Sequence, residues 1–207
     1  MSTPSAAAQL RERARAPDAL EHADIPWLHG LEANERERAL ADLKVVKVEP
    51  GELLCRVGRP VTYWFGEGTV IKREAYRYNI EALRPSTVAG LTVDTFHWLL
   101  DRSIPFNRFI LQQLNERLGQ FMAAREIDRL NDPDARVARS LAALFHPILY
   151  PGVGTLLRIT QQELGYLVGL SRQRVNEALR ALQSSGLIRV EYGGVKVTDL
   201  ERLRAFR

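Results

Sequence analysis

Apolar residues first recur at helical spacing in residues 24–43, DIPWLHGLEANERERALADL, where a loop-like start gives way to Leu31, Ala39, Leu40 and Leu43 on one face. From Lys44 the period changes. KVVKVEPGELLCRVGRPVTYWF is rich in Val, Leu and aromatics and is cut by Pro50-Gly51, Gly58 and Pro60, the pattern of short strands joined by tight turns. The β pattern continues through GEGTVIKREAYRYNIEALRPSTVAGLTV, with strands at 78–83 and 86–91 on either side of Arg84-Pro85. At Asp94 the spacing turns helical again. TFHWLLDRS predicts a short helix, and residues 105–131 predict an unbroken one of about seven turns at 3.6 residues each.

In that long helix Phe106, Phe109, Ile110, Leu114, Leu118, Phe121 and Met122 recur at three- and four-residue steps, with Gln112, Gln113, Asn115, Glu116 and Arg117 opposite. A short β domain does not need so long an apolar stripe. It is expected to pair with a second copy of itself as a two-helix coil, the other reading being that it packs on neighbouring domains. Asn131-Asp132-Pro133-Asp134 breaks the helix and reads as an interdomain hinge. Ala135–Tyr150 predicts a further amphipathic helix, with Val137, Leu141, Leu144 and Phe145 on its apolar side. Residues 1–16 are rich in Ala, Arg and Ser, carry no core pattern and read as a mobile arm.

The most informative stretch is RITQQELGYLVGLSRQRVNEALRALQSSGLIRVEYGGVKVTD. Thr160 followed by Glu163 fits a capping box. The helix over 161–167 is expected to bury Leu164 and Leu167. Gly165 would allow close helix approach, Gly169 suits a left-handed turn, and Ser171 would cap a second helix. There Val175, Ala178, Leu179 and Leu182 form the apolar stripe. Gln173, Asn176, Glu177 and Arg180 point away from it, with Arg172 and Arg174 in the first turn. This is a helix-turn-helix, whose second helix offers its N-terminal residues to a major groove. Arg donates twice to guanine, Gln or Asn brackets adenine, and Glu accepts from cytosine N4. Leu187–Val190, a Gly193-Gly194 turn and Val195–Val197 then predict a β-hairpin wing, placing Arg189 and Lys196 to meet phosphate. The other reading is an amphipathic helix pair with a solvated polar face. The candidate DNA-binding set is Thr160, Gln161, Ser171, Arg172, Gln173, Arg174, Asn176, Glu177, Arg180, Arg189 and Lys196.

Charge supports the DNA reading. The net charge is only +4, but residues 133–207 carry 11 Lys and Arg against 6 Asp and Glu, while residues 1–132 carry 18 against 19. The basic excess therefore sits in the last third. At 207 residues, 45% hydrophobic and 26% charged, the chain is globular and allows one or two domains. A single cysteine, Cys55, excludes an internal disulfide framework and a Cys-clustered metal site, and reads as a buried thiol. The four histidines lie far apart, and nothing argues for a metal. Phe96-His97-Trp98-Leu99 reads as core packing. No nucleotide-binding P-loop, nucleophile elbow or zinc-protease motif appears, so no catalytic residues are assigned and the chain is not expected to be an enzyme. No stretch is apolar enough to span a membrane. The N-terminus has no secretory pattern, so a cytoplasmic location is expected.

The segment ITQQELGYLVGLSRQRVNEALRALQSSGLI closely resembles the DNA-binding signature of the Crp/Fnr family of bacterial transcription regulators, and Pro50-Gly51-Glu52 resembles the glycine–acid turn near the start of that family's sensor barrel. The resemblance covers roughly residues 24–207. It implies an α+β fold: an N-terminal, truncated jelly-roll-like β sensor domain, a long dimerisation helix and a C-terminal winged helix-turn-helix. The corresponding segments are a flexible arm (1–23), a shortened cyclic-nucleotide-binding-like β-roll domain (24–103), the dimerisation helix (104–131) and the DNA-binding domain (132–207). By the resemblance Arg172, Gln173 and Glu177 match the base-reading positions. Glu177 stands where Arg is common, so the target sequence should differ from the best-known one.

Phe65-Gly66-Glu67 resembles the start of the family's phosphate-binding cassette, which implies an effector site at Gly66, Glu67, Arg77 and Tyr78. In cyclic-nucleotide binders the Glu takes a ribose hydroxyl, the Arg the phosphate, and a small hydroxyl residue a phosphate oxygen. Here Tyr78 replaces the small residue. Cyclic nucleotide is therefore disfavoured as effector against an ordinary ion pair or solvated side chains, and no cofactor is predicted. The family's barrel has eight strands and needs ~80 residues at 8–12 per strand and turn. Residues 44–93 accommodate about five, with the gap near Val61–Phe65. Either the sensor is shortened, naturally or deliberately, or an internal segment is missing from the sequence. The expected function is a homodimeric, sequence-specific DNA-binding transcription regulator acting on an inverted repeat. Double-stranded DNA and a second copy are its partners, and RNA polymerase is a candidate partner. The alternative is a protein that does not bind DNA but heterodimerises with and inhibits a full-length relative.

Overall fold

Strand β1 (Lys44–Val48) pairs antiparallel with β5 (Ser86–Thr92), Lys44 opposite Gly90 and Val48 opposite Ser86. The two-residue strand β3 (Tyr63–Trp64) lies on the other side of β5. Strands β2 (Leu53–Cys55) and β4 (Ile80–Glu81) form a separate ribbon with a bulge. In a computed structural model describing residues 10, 12–66, 68–150 and 153–207, these five strands precede helix α3 (Val93–Arg102), the number that residues 44–93 accommodate. The chain divides into two units, residues 1–111 and 112–207.

Period-2 geometry puts Val46 and Val48 on one face of β1, where they pack with Leu10, Leu54, Ala82 and Val88. The main core of the first unit is aromatic. Trp27, Trp64, Phe96 and Phe106 meet at ring-centroid distances of 5.1–5.7 Å, tilted or edge-to-face, as ring quadrupoles favour. Trp27 comes from a 3-10 turn (Pro26–Gly30), and helix α2 (Ala33–Asp42) adds Ala39. Phe106 comes from the first turn of the long helix α4 (Ile104–Asp128). Cys55 is buried, and the His97 ring nitrogen Nε2 meets the Val70 carbonyl at 3.0 Å.

Two expectations for this unit change. Residues 1–23 were expected to be a flexible arm, but structure begins earlier. Leu10 is buried, the Arg15 backbone bridges Val45 with bonds of 2.8 and 3.0 Å, and helix α1 (Ala19–Ala23) starts on a capping box from Asp18 and Glu21. The polar composition hides this because backbone pairing and capping, not apolar spacing, hold the segment. Residues 1–9 and 11 lie outside the described residues. The β pattern also fails at Thr69–Lys72, which forms a 3-10 turn closed by Arg73 in the left-handed conformation, with Val70 fully buried. One turn is too short for the β-branched pair Val70-Ile71 to oppose it, and burying Val70 favours it.

In the second unit, helix α5 (Pro133–Ala143) starts with Pro133 in its first turn and Asp132 as cap, the Asp132 Oδ1 accepting from Asp134 N at 2.9 Å. It ends seven residues before the expected Tyr150. Pro147 disfavours helical backbone at the residue before it, and the His146 ring Nδ1 takes the backbone N–H groups of Ile148 and Leu149 at 3.3 and 3.2 Å. Helices α6 (Gln161–Val168), α7 (Arg172–Ser184) and α8 (Leu200–Arg204) pack with α5 around Val137, Leu141, Leu164, Val168, Leu179 and Leu182. The wing has three antiparallel strands in the order β6 (Leu156–Leu157), β8 (Gly194–Val197), β7 (Ile188–Glu191). No helix among the described residues is long and apolar enough to cross a membrane.

Candidate nucleic-acid interface

The interface is built from local rules. Thr160 Oγ1 accepts from Glu163 N at 3.1 Å and the Glu163 carboxylate accepts from Thr160 N at 2.7 Å, closing the capping box that starts α6. Gly169 ends the helix at φ +66°, a conformation costly for residues with a Cβ. Ser171 Oγ then accepts from Arg174 N at 3.2 Å and starts α7. Val175, Ala178, Leu179 and Leu182 are buried, which leaves Arg172, Gln173, Glu177 and Arg180 on the exposed side. In α6 the inward residues are Leu164 and Val168. Leu167, expected to be buried, is half exposed, because the four-residue step from Leu164 reaches the core and the three-residue step does not.

The exposed side carries its own polar network. Gln173 donates to Glu177 at 3.3 Å, one helical turn away. Gln161 donates to Asn176 at 3.2 Å and so ties α6 to α7. Arg174 Nη2 donates to Asp134 Oδ1 at 2.6 Å, and its Nη1 lies 3.9 Å from the Glu177 carboxylate. Thr160 and Ser171 are committed as caps. Arg172, Arg180, Arg189 and Lys196 make no ion pair that the structure records among the described residues. Arg189 and Lys196 face each other across β7 and β8. A surface of this kind, with free guanidinium and ammonium groups around a helix N-terminus, meets the demands of phosphate contact, and its Arg, Gln and Glu heads have the donors and acceptors that base edges require.

Sequence pattern missed three features. Tyr192, fully exposed, stands at the wing tip beside the Gly193-Gly194 turn, and Tyr166 is 93% exposed on α6. An aromatic next to a turn glycine is the signal that marks Tyr192. The partner of Arg174, forty positions away, has no signal in the sequence.

Of the residues read as an effector site, Gly66, Arg77 and Tyr78 are described. Glu67 lies outside the described residues. Arg77 pairs with Glu74 at 2.5 Å, and that guanidinium holds the Glu74 carboxyl below its ordinary range. Tyr78 is exposed, its carbonyl 3.5 Å from Cys55 Sγ. A cavity of about 70 Å³ in this unit is lined by apolar and aromatic residues such as Val46, Leu54, Phe65, Tyr76 and Val88, and Gly66, Arg77 and Tyr78 are not among its lining.

The apolar stripe of α4 splits in two. Phe106 and Ile110 are buried in the aromatic core, so these two are corrected from dimer contacts to core residues of their own chain, while Phe109 is partly buried against that core. Leu114, Leu118, Phe121 and Met122 are exposed, and Leu111, which the sequence reading did not include, is exposed with them. Leu111, Leu114, Leu118 and Phe121 keep a three-four-three spacing, the spacing of apolar positions in a coiled-coil heptad.

Residues 135–206 match a family described as a Crp-like helix-turn-helix domain. The chain is 36% identical over 164 residues to a cyclic AMP receptor protein of Thermus thermophilus, covering 79% of this chain and 67% of that one. Its fold resembles the solved structure of FixK2 from Bradyrhizobium japonicum, with a TM-score of 0.64 at 13% identity, covering 79% of this chain and 96% of that one. It also resembles CLP, the c-di-GMP-responsive global regulator of Xanthomonas campestris, with a TM-score of 0.57 at 22% identity, covering 80% and 99%.

Proposed function

The chain belongs to the Crp/Fnr family of transcription regulators, and from that premise we propose that it acts in the bacterial cytoplasm as a homodimer on an inverted-repeat DNA site. As a Crp-family regulator it binds DNA and is not an enzyme. The exposed remainder of the α4 stripe pairs with its copy and sets the spacing of two α7 helices. These enter successive major grooves about one turn, ~34 Å, apart. RNA polymerase is the partner through which the bound dimer acts.

In this reading Arg172, Gln173 and Glu177 read bases, while Arg180, Arg189 and Lys196 meet phosphates. Thr160 and Ser171 present the helix starts to the backbone of the duplex, and Gln161 and Asn176 fix the angle between the two helices. The observation that carries the reading is the exposed polar side of α7, held outward because Val175, Ala178, Leu179 and Leu182 lock the opposite side into the core. The test is selection of duplexes from a random pool by the purified chain, followed by binding titrations. The expected outcome is a pseudo-palindromic site whose affinity falls steeply with salt and is lost in the double variant Arg172→Ala, Gln173→Ala. Recovery of no preferred sequence overturns it.

The Thermus relative is named a cyclic AMP receptor protein. We propose that this chain does not share that effector, because Arg77 is held by Glu74 and a bulky phenol stands at 78.

A further inference from the structure

The Arg174–Asp134 pair joins the first turn of α7 to the first turn of α5. Its inference rests on the DNA-binding reading above. Both side chains are partly exposed, at 30% and 26%, so the pair lies at the surface rather than in the core. Arg174 is flanked by two carboxylates, Asp134 at 2.6 Å and Glu177 at 3.9 Å, while its neighbour Arg172 makes no recorded ion pair among the described residues. Among the described residues the Asp134 side chain makes no other recorded bond, and its backbone N–H is already satisfied by Asp132. The carboxylate therefore serves the guanidinium and nothing else that the structure records. The N-terminal turn of the recognition helix is also the part that groove docking brings nearest the duplex. A phosphate arriving there competes with Asp134 for one guanidinium and is repelled by that carboxylate.

We propose that Asp134 is a positioning residue that withholds Arg174 from the DNA backbone and so sets the affinity of the homodimer without touching a base. Removing its charge releases one phosphate-seeking guanidinium per recognition helix. Each phosphate neutralised steepens the dependence of log affinity on log salt by about 0.9, so a dimer gains about 1.8.

The test measures binding of the full chain to a labelled DNA duplex of mixed sequence across a salt series, for wild type, Asp134→Asn, Arg174→Ala and the double variant. The expected result is a slope steeper by about 1.8 in Asp134→Asn, with its affinity advantage over wild type shrinking about tenfold between roughly 50 and 200 mM salt. Arg174→Ala leaves the wild-type slope nearly unchanged, and adding Asp134→Asn to Arg174→Ala gives no steepening, which separates release of Arg174 from a general change of charge. Asp134→Ser, with a residue suited to a helix first turn, reproduces the steepening if Asp134→Asn alone disturbs α5. Equal slopes in wild type and Asp134→Asn overturn the inference while leaving DNA binding intact. A wild-type slope that Arg174→Ala flattens also overturns it, since Arg174 then already meets phosphate. A wild-type chain that binds no duplex overturns the DNA-binding reading, and the inference with it.

Discussion

A Cβ at position 165 would stand 2.8 Å from the Leu170 carbonyl oxygen, while the Leu170 N–H donates to the Gly165 carbonyl at 3.0 Å. The two residues fix how closely the end of α6 approaches the start of α7. The neighbour is backbone, so it cannot swing aside as a flexible side chain would. Ala gains about 0.8–1.0 kcal/mol over Gly from helix propensity, but overpacking costs about 1–3 kcal/mol. The clash should win. Gly165→Ala is expected to lower the urea midpoint of the DNA-binding unit and to weaken DNA binding. A midpoint that rises would show that propensity dominates and that the turn has room.

Effector control is expected to be absent for cyclic nucleotides. The phosphate would need Arg77, which Glu74 holds at 2.5 Å. One cavity among the described residues of this unit, about 70 Å³, is far below the ~300–1,000 Å³ of ordinary ligand pockets. Calorimetric titration with cyclic AMP or cyclic GMP should give no saturable heat, and Tyr78→Thr alone should not create it, because the engaged arginine and the small cavity persist. Saturable binding tighter than about 1 mM would contradict this.

Glu21 carries the clearest pH signature. The Arg15 guanidinium meets both of its carboxylate oxygens at 2.7 and 2.8 Å, and the Asp18 N–H adds a third bond at 2.9 Å. These bonds, the Arg15 contact foremost, lower its pKa to about 2. A depressed carboxyl contributes its stabilisation above the unfolded value near 4.5 and loses it as pH falls through about 2. Carboxyl NMR should therefore place the Glu21 midpoint near 2. Arg15→Gln should move that midpoint up toward the ordinary range, and Glu21→Gln should remove this group's share of the acid sensitivity.

What the sequence revealed follows from how local each cause is. Thr160, Glu163, Gly169 and Ser171 act on backbone within three residues of themselves, so the helix-turn-helix and its exposed side are legible from spacing alone. Leu167 and Val168 are adjacent apolar residues on a two-turn helix, and only the packing of α5 and α7 decides which one points inward. The turn at Thr69–Lys72 reads as strand because Val70 and Ile71 favour strands, and its reason for existing is a core that spacing does not display. The two-residue strand β6 is too short to have a period. Asp134 and Arg174 are ordinary surface charges until the fold brings them together.

The stripe of α4 shows the same limit and gives the sharpest test. Its spacing is uniform from Phe106 to Met122, yet Phe106 is fully buried and Phe121 is 60% exposed. One stretch is buried within its own chain and the other is exposed among the described residues. The two ends should therefore fail in different ways. Phe106→Ala removes a ring that touches Trp27, Trp64 and Phe96, and is expected to cost about 3–5 kcal/mol of stability. Leu118→Glu with Phe121→Glu introduces like charges into a seam between copies while leaving the core of each chain intact. Light scattering should report a monomer, and circular dichroism should report an unchanged melting point at concentrations where wild type is also monomeric. Affinity for an inverted repeat should drop to the level of a single half-site. A doubly charged variant that remains a dimer would place the interface elsewhere and would leave the exposed face of α4 without its proposed role.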